Sequence, residues 1–233
     1  MRLVCGVDGC KDGWVAISKD LDTQNTSWRF YATIHELVYS DPTLHVIAID
    51  IPIGLPDRGA RLCDLEARQL VGPRRSSIFP APIRALFAAT SHQNASQIRF
   101  QVEEKKLSIQ AWAIIPKIRD VDRALIQDPE LKMRVREVHP EVCFYFLAGR
   151  QHLQYSKRKQ AGREERGRLL SPVFGGRLNE ALSDRTALKS SEDDILDAFV
   201  ALWTAERIAL GNSQSIPSDP PLDRFGLRME MVI

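Results

Sequence analysis

The chain opens with an apolar run that leads to a single acid, Val4-Cys5-Gly6-Val7-Asp8-Gly9. A second run of this kind, Val46-Ile47-Ala48-Ile49-Asp50, follows some forty residues later and leads into Ile51-Pro52. Continuous apolar runs of this length are typical of buried strands. An ionised carboxylate is unfavourable among buried apolar residues unless a positive charge compensates it. The two strand ends therefore raise the question of a metal ion that both acids share.

The sequence around these runs predicts a β-β-β-α-β opening. An Asp-Gly turn at 12–13 joins the first two strands into a hairpin, and alternating aromatic residues mark the third strand. The predicted elements are strands over 3–7, 14–18 and 27–31, a helix over 34–38 and a strand over 45–50. We expect the fourth strand to lie parallel to the first, which places Asp8 and Asp50 at neighbouring carboxyl ends, where open α/β sheets bind ligands.

Two carboxylates held close together repel each other unless a divalent cation neutralises both. Magnesium prefers oxygen ligands and retains several waters, so two or three carboxylates suffice as its protein ligands. The structural alternative is an aspartate that simply ends a strand and begins a turn. For either aspartate alone, this structural interpretation and a functional one are equally good. Two aspartates at neighbouring strand ends together favour a functional site.

The middle of the chain, about residues 58–129, shows helical patterns without clear strands. Helices are predicted from about Gly59 to Leu70 and over 94–114 and 118–126, and we interpret the region as a helical insertion that covers the crevice between the fourth and fifth strands. Four arginines at its start are candidates for binding substrate: Arg61, Arg68, Arg74 and Arg75. The guanidinium groups and hydroxyls of the loop Gly72-Pro73-Arg74-Arg75-Ser76-Ser77 suit phosphate oxygens. A solvated basic loop, and an ordinary i,i+4 pair between Asp64 and Arg68, are the alternatives.

A fifth strand is predicted over 132–138, because apolar and charged residues alternate there. It leads into His139-Pro140-Glu141, where Pro140 suits the first turn of a helix. Glu141 is then either a third metal carboxylate at the same sheet edge or an acid that stabilises the start of its helix. The most basic segment follows, from Lys157 to Arg168, and is predicted to form an amphipathic helix. It is either a solvated face or a contact to a nucleic-acid backbone, with Lys157 as a candidate substrate ligand.

The last predicted helix begins at Ser191, followed by three acids. Asp194 and Asp197 lie three residues apart and share one face, which continues into the small residues Ala201 and Ala205. This face is suited to packing closely on a sheet. Compensation of the helix dipole accounts for Asp194 more readily than for Asp197, which points inward and needs a positive partner such as a metal ion.

Composition indicates an ordinary globular chain of 233 residues, enough for one large domain. The formal net charge is only +2, so any affinity for a polyanion depends on a local patch. The four cysteines include no C-x-x-C pair, which favours reduced thiols in a cytoplasmic protein. No stretch predicts a signal peptide or a bilayer-spanning helix, so we expect no membrane partner.

The chain resembles the RNase H-like superfamily in its β-β-β-α-β opening with a strand-terminal acid and in its late helix with Asp-x-x-Asp-Ala. More closely, it resembles an uncharacterised family of predicted RNase H-like nucleases. The similar segments are Gly6-Val7-Asp8-Gly9 with Gly13-Trp14, Asp50-Ile51-Pro52-Ile53-Gly54-Leu55-Pro56, Arg61-Leu62-Cys63-Asp64 with Arg68, Glu137-Val138-His139-Pro140-Glu141, and Asp193-Asp194-Ile195-Leu196-Asp197-Ala198. The pair Asp194 and Asp197 is also similar to the last acidic pair of Holliday-junction resolvases of the RuvC kind.

The resemblance implies an α/β fold with an RNase H-like mixed five-stranded sheet, three antiparallel hairpin strands plus parallel strands, flanked by helices. It also implies a two-metal nuclease that uses Mg²⁺ or Mn²⁺. The implied metal ligands are Asp8, Asp50, Asp194 and Asp197, and Glu141 is an auxiliary catalytic residue.

The expected function is phosphodiester hydrolysis of DNA or RNA, assisted by two metal ions, with Arg74, Arg75 or the Lys157–Arg168 segment holding substrate phosphates. A hydrolase of nucleotides or small phosphoesters would use the same metals and remains open. A non-catalytic nucleic-acid-binding or scaffold protein also remains open, and predicts salt-sensitive binding without metal-dependent turnover. A phosphotransferase of the sugar-kinase or actin kind would need a second such domain, for which the chain is too short.

Overall fold

Five strands form a mixed sheet in the order β3-β2-β1-β4-β5, in a computed structural model that describes residues 2–233. Strands β1 (Leu3–Cys10), β2 (Gly13–Asp20) and β3 (Thr26–Tyr31) are antiparallel neighbours, and β4 (Leu44–Ile49) and β5 (Val135–Glu137) run parallel to β1. The predicted α/β class, with three antiparallel hairpin strands plus parallel strands, is confirmed.

Nine helices of the described chain flank or extend this sheet. They are α1 (Ile34–Val38), α2 (Leu62–Leu70), α3 (His92–Glu103), α4 (Ile109–Gln127), α5 (Pro129–Arg134), α6 (Pro140–Leu147), α7 (Gln160–Phe174), α8 (Gly176–Ser183) and α9 (Glu192–Ala209). Two 3-10 helices lie at Gly72–Ser77 and Arg84–Ala88, and the short strands β6 (Ser215–Ile216) and β7 (Met231–Val232) pair separately. Within residues 2–233, no helix is both long and apolar enough to cross a membrane.

Alternation along the strands divides the core into two layers, one on each face of the sheet. Val4 and Val46 pack with α9 on one face. Cys5, Val7 and Ile47 pack on the other face, with apolar residues of α1 and α4. The sheet therefore lies between two helical layers, which explains why its central strands are continuous apolar runs.

Helix α9 lies unusually close to β1 at Gly6. A Cβ atom on Gly6 would stand 2.0 Å from the backbone nitrogen of Leu202 and 2.3 Å from the carbonyl oxygen of Ala198. Ala201 and Ala205 are fully buried, in line with the small-residue face predicted for this helix. Glycine on the strand and small residues on the helix together allow this contact.

The predicted helix boundaries in the middle region were partly wrong. Helix α2 begins at Leu62 rather than near Gly59, because Gly59 has a left-handed backbone with φ +82°. The helix predicted over 94–114 is two helices. Helix α3 ends at Glu103, because the next residue, Glu104, has a left-handed backbone with φ +57°. The Ser108 hydroxyl caps α4 by accepting a hydrogen bond from the Ala111 N–H at 3.1 Å. Helix α4 then continues through Pro116 to Gln127, across the gap expected between two helices.

The fifth strand is shorter than predicted. Asp128 caps a helix by accepting a hydrogen bond from the Glu130 N–H at 2.9 Å, and Pro129 fills its first turn, so residues through Arg134 are helical. Only Val135–Glu137 pairs with β4. Between β4 and β5 the described chain forms no strand; the insertion boundaries of about 58–129 stay a prediction.

Candidate functional site

The ends of β1 and β4 place Asp8 and Asp50 side by side. The last parallel pair joins Val7 to Ile49, and the Asp50 N–H donates to the Val7 carbonyl at 3.0 Å. The sequence predicted that strand β1 ends at Val7. In the structure it continues to Cys10, because β2 still pairs with it there. Alternation places both acids on the sheet face that carries α9.

Helix α9 adds Asp197 to this edge. The residue is fully buried and directly precedes Ala198, whose carbonyl lies over Gly6. Ser191 starts the helix with a capping box, in which one carboxylate oxygen of Asp194 accepts the Ser191 N–H at 2.8 Å. Asp194 is therefore engaged at the helix start, and Asp197 reaches deeper into the site.

The charges of these residues act on one another. Burial raises the pKa of Asp8 well above its usual range, and the neighbouring charges of Asp50 and Asp197 raise it further, with a smaller contribution from Asp194. Burial also raises the pKa of Asp197 to about 6, against the opposing effect of Lys157. The structure thus brings the predicted acids Asp8, Asp50 and Asp197 together, with Asp194 at the rim. We refer to Asp8, Asp50 and Asp197 as the acid cluster.

The acid cluster has few hydrogen-bond donors. The Lys157 ammonium donates to Oδ2 of Asp197 at 2.5 Å, while Oδ1 of Asp197 is buried without a partner. Within residues 2–233, no hydrogen bond or ion pair reaches the carboxylate of Asp8 or of Asp50. Of the six carboxylate oxygens in the cluster, only Oδ2 of Asp197 has a donor among the described residues.

Other buried acids of this protein are fully hydrogen-bonded. The buried Arg61 guanidinium binds both oxygens of Asp64, at 3.2 and 2.7 Å, and both oxygens of Glu137, at 2.6 and 2.7 Å. Burial raises the pKa of Glu137 to about 7, and Arg61 opposes this rise. Arg84 likewise binds Asp122 and Asp223. All the donors of Arg61 are used inside the protein, so it has none for the substrate role predicted from sequence.

Glu141 lies in a separate ion network. Its Oε1 accepts from Arg74 at 3.0 Å and its Oε2 from the buried Arg166 at 2.7 Å. Because both oxygens are compensated, the structure does not bring Glu141 to the acid cluster as a free carboxylate. Two other arginines of the predicted set lie outside the cluster: Arg68 donates to the Ile78 carbonyl at 2.6 Å, and Arg75 is exposed.

One basic residue near the site was missed by sequence reasoning. Lys117 of α4 donates to the Gly13 carbonyl at 2.5 Å, and its ammonium lies 4.4 Å from the centroid of the Trp14 ring. Burial lowers the pKa of Lys117, while the charges of nearby groups, including Asp8 and Asp194, raise it. The only sequence signal was the expectation that the insertion covers the crevice; nothing singled out Lys117.

The donors of the acid cluster suit a hard divalent cation in chemical type. They are all carboxylate oxygens, which Mg²⁺ and Mn²⁺ prefer, and the unpaired Oδ1 of Asp197 lacks only a positive partner. As the side chains stand, no group of three His, Cys, Asp or Glu residues in the described chain is arranged to hold a metal ion. The residues therefore fit such an ion by charge and donor type.

Comparison with curated proteins gives no match, and neither does comparison with solved structures. A family described as a protein of unknown function, DUF429, matches residues 6–222. The matched range contains the acid cluster, Lys157 and every strand of the main sheet except the first residues of β1. Because the match covers most of the sequence, the chain belongs to the DUF429 family of proteins of unknown function.

Proposed function

We propose that this protein is a metal-dependent phosphodiester hydrolase, an RNase H-like nuclease that cleaves DNA or RNA with the help of Mg²⁺ or Mn²⁺. The observation that carries the proposal is the acid cluster itself. Three carboxylates share one edge of the sheet, and a single one of their six oxygens has a protein donor.

A structural role accounts poorly for such a cluster. Buried charges without partners destabilise a fold by several kcal/mol each, even after relaxation, and this protein uses arginine elsewhere to compensate its buried acids. Strongly perturbed carboxylates that converge at the ligand-binding edge of an α/β sheet are a common feature of functional sites. The excess negative charge supports a divalent cation as the missing component.

Asp8, Asp50 and Asp197 would hold the cation, and Asp194 would contribute from the rim. A bound divalent ion supplies Lewis acidity to the phosphate and lowers the pKa of a coordinated water. Lys117 adds a positive charge beside Asp8, where it would attract the scissile phosphate toward the acids.

A basic cleft next to the site supports a polyanionic substrate. It has a volume of about 490 Å³ and lies at the start of α9. Arg163, Arg185 and Lys189 line it together with the hydroxyls of three neighbouring residues, and Glu192 and Asp193 line it as well. Arg163 is paired with Glu192 at 2.9 Å, so Arg185 and Lys189 would make the phosphate contacts that a net charge of only +2 does not provide.

Cleavage assays on a panel of substrates test the proposal. The panel holds single- and double-stranded DNA, RNA, an RNA–DNA hybrid, a four-way junction, mononucleotides and a simple phosphodiester, each with Mg²⁺, Mn²⁺ or a chelator. We expect metal-dependent cleavage of at least one polynucleotide, with a loss of at least about 100-fold in Asp8→Asn, the scale expected when one electrostatic stabiliser of the transition state is removed. Asp219→Asn, a matched change of an exposed acid outside the acid cluster and the cleft, should retain activity.

Equal activity of wild type and Asp8→Asn would overturn the proposal. Turnover of mononucleotides or the simple diester alone would instead identify a small-phosphoester hydrolase. Salt-sensitive binding of nucleic acid, without turnover under any metal condition, would identify a binding protein.

A further inference from the structure

The segment that carries Lys157 is fixed to helix α7. The sequence placed Lys157 in a helix, but α7 begins at Gln160, and Lys157 lies in the loop before it. The Glu165 carboxylate of α7 accepts hydrogen bonds from the backbone N–H groups of Gln154 at 2.9 Å and of Tyr155 at 3.0 Å. These contacts fold the loop back onto the first turns of the helix.

Close packing holds the same loop from the other side. A Cβ atom on Gly162 would stand 2.0 Å from the Ser156 carbonyl oxygen, so only glycine permits this approach. Arg166 donates to the Tyr155 carbonyl at 3.3 Å, and Arg163 donates to the Lys157 carbonyl at 3.4 Å. A lysine that is simply exposed on the surface needs no such contacts to its backbone. Here these contacts fix the loop and thereby determine where the Lys157 side chain enters the site.

The Lys157 side chain brings its charge to the acid cluster from the solvent side. Its side chain is 41% exposed, whereas that of Asp197, which accepts its hydrogen bond, is fully buried. The charges of Asp197, Asp8 and Asp50 all stabilise the protonated ammonium. Lys157 is thus a permanent positive charge of the cluster.

Charge balance then limits how many divalent ions the site accommodates. Metal coordination requires the carboxylates to be deprotonated. In that state the three carboxylates of the cluster carry three negative charges and Lys157 carries one positive charge, so a single divalent ion makes the group neutral. Two divalent ions beside Lys157 would leave two uncompensated positive charges next to the buried Asp8 and Asp197, which is strongly unfavourable. Asp194 and Lys117 interact at the rim and offset each other. The charge of Arg166, which also acts on Asp197, is offset by its ion pair with Glu141, so neither pair changes this balance.

We propose that the Lys157 ammonium takes the place of a second metal ion, so that the site binds one divalent cation per chain. This inference rests on the proposed metal-dependent function and refines it, because the two-metal site implied by the sequence resemblance becomes a site of one metal ion and one lysine. Lys157 is a positioning residue, which acts through Asp197 and through the number of ions bound.

Titration with Mn²⁺ tests the proposal without reference to activity. Isothermal calorimetry and electron paramagnetic resonance of free Mn²⁺ give the number of ions bound by each variant. We expect one ion for wild type and for Lys157→Arg, which keeps the charge, and two ions for Lys157→Met, which keeps the side-chain length without the charge. Lys159→Met, which removes an exposed positive charge two residues away, should remain at one ion.

The outcomes of the titration distinguish the role of Lys157 from the proposed metal-dependent function. Two ions bound by wild type, or one ion bound by both wild type and Lys157→Met, would overturn the role of Lys157 and leave metal-dependent hydrolysis standing. No binding to any variant would remove the proposed metal-dependent function as well. If Lys157→Met does not fold by circular dichroism, Lys157→Gln replaces it, and the wild-type count still tests the prediction by itself.

Discussion

Replacement of Gly6 by alanine perturbs the contact that positions helix α9, and with it Asp197. The new methyl group would lie 2.0 Å from the Leu202 nitrogen and 2.3 Å from the Ala198 oxygen. Both are backbone atoms, so no side-chain rotation relieves the clash. To restore an ordinary contact of 3.4 Å, helix and strand must separate by about 1.4 Å.

Overpacking of a core usually destabilises a protein by about 1–3 kcal/mol. Since backbone atoms must move here, we expect the upper end of that range, about 3 kcal/mol, which corresponds to a fall in Tm of roughly 6–12 °C for a chain of this size. The matched control is Gly167→Ala in α7, where an added Cβ meets nothing within 4 Å. Alanine there should stabilise the protein by about 0.5–1 kcal/mol.

Urea denaturation followed by circular dichroism, together with calorimetry, measures both variants. Displacement of α9 also moves Asp197, so Gly6→Ala should bind Mn²⁺ more weakly than wild type even at temperatures where it is folded. An unfolding free energy of Gly6→Ala within about 0.5 kcal/mol of wild type, the range of neutral surface changes, would refute the close packing described here.

Two further predictions concern the buried charges. Asp8→Asn should stabilise the metal-free protein at about pH 8; because the pKa of Asp8 is raised in the folded state, its charge destabilises the fold above the unfolded pKa of about 3.9, so the gain should shrink as pH falls toward 3. Urea denaturation in chelator at several pH values measures this, and equal stability at high pH contradicts it. Arg61→Met should destabilise the protein by about 3–5 kcal/mol, because it leaves Asp64 and Glu137 buried without their partner; Arg75→Met, at an exposed position, should fall within about 0.5 kcal/mol of wild type.

The central sheet was predictable because its signals are local. The apolar runs before Asp8 and Asp50 identify buried strands, and a helical connection between them favours a parallel pair, which the structure contains. The inward face of α9 followed from the spacing of Asp194, Asp197 and Ala201 alone. Periodicity of this kind carries both the element type and the direction in which a residue points.

The partners of the charged residues were not predictable, because tertiary contacts set them. Arg61 reads as a surface residue near the start of a helix, yet its guanidinium binds Glu137, 76 residues away. The sequence predicts Lys157 in an amphipathic helix that is either a solvated face or a contact to nucleic acid. The contacts that turn it toward Asp197 come from side chains of α7 that no local pattern marks. The pattern of charges along the sequence does not specify which distant helix or strand will pack against a charged residue.

The close contact between α9 and β1 at Gly6 and the poorly compensated acid cluster are physically linked. Because Gly6 has no side chain, α9 approaches β1 until the Ala198 carbonyl lies over it. The preceding residue, Asp197, is then buried, and its charge contributes to the raised pKa of Asp8. A larger residue at position 6 would hold the helix away, admit water and relieve the repulsion among the acids. The same packing that stabilises the core thus buries Asp197 beside the buried Asp8. Lys157 neutralises only part of the negative charge of the acid cluster. A divalent ion is the simplest species that would neutralise the remainder.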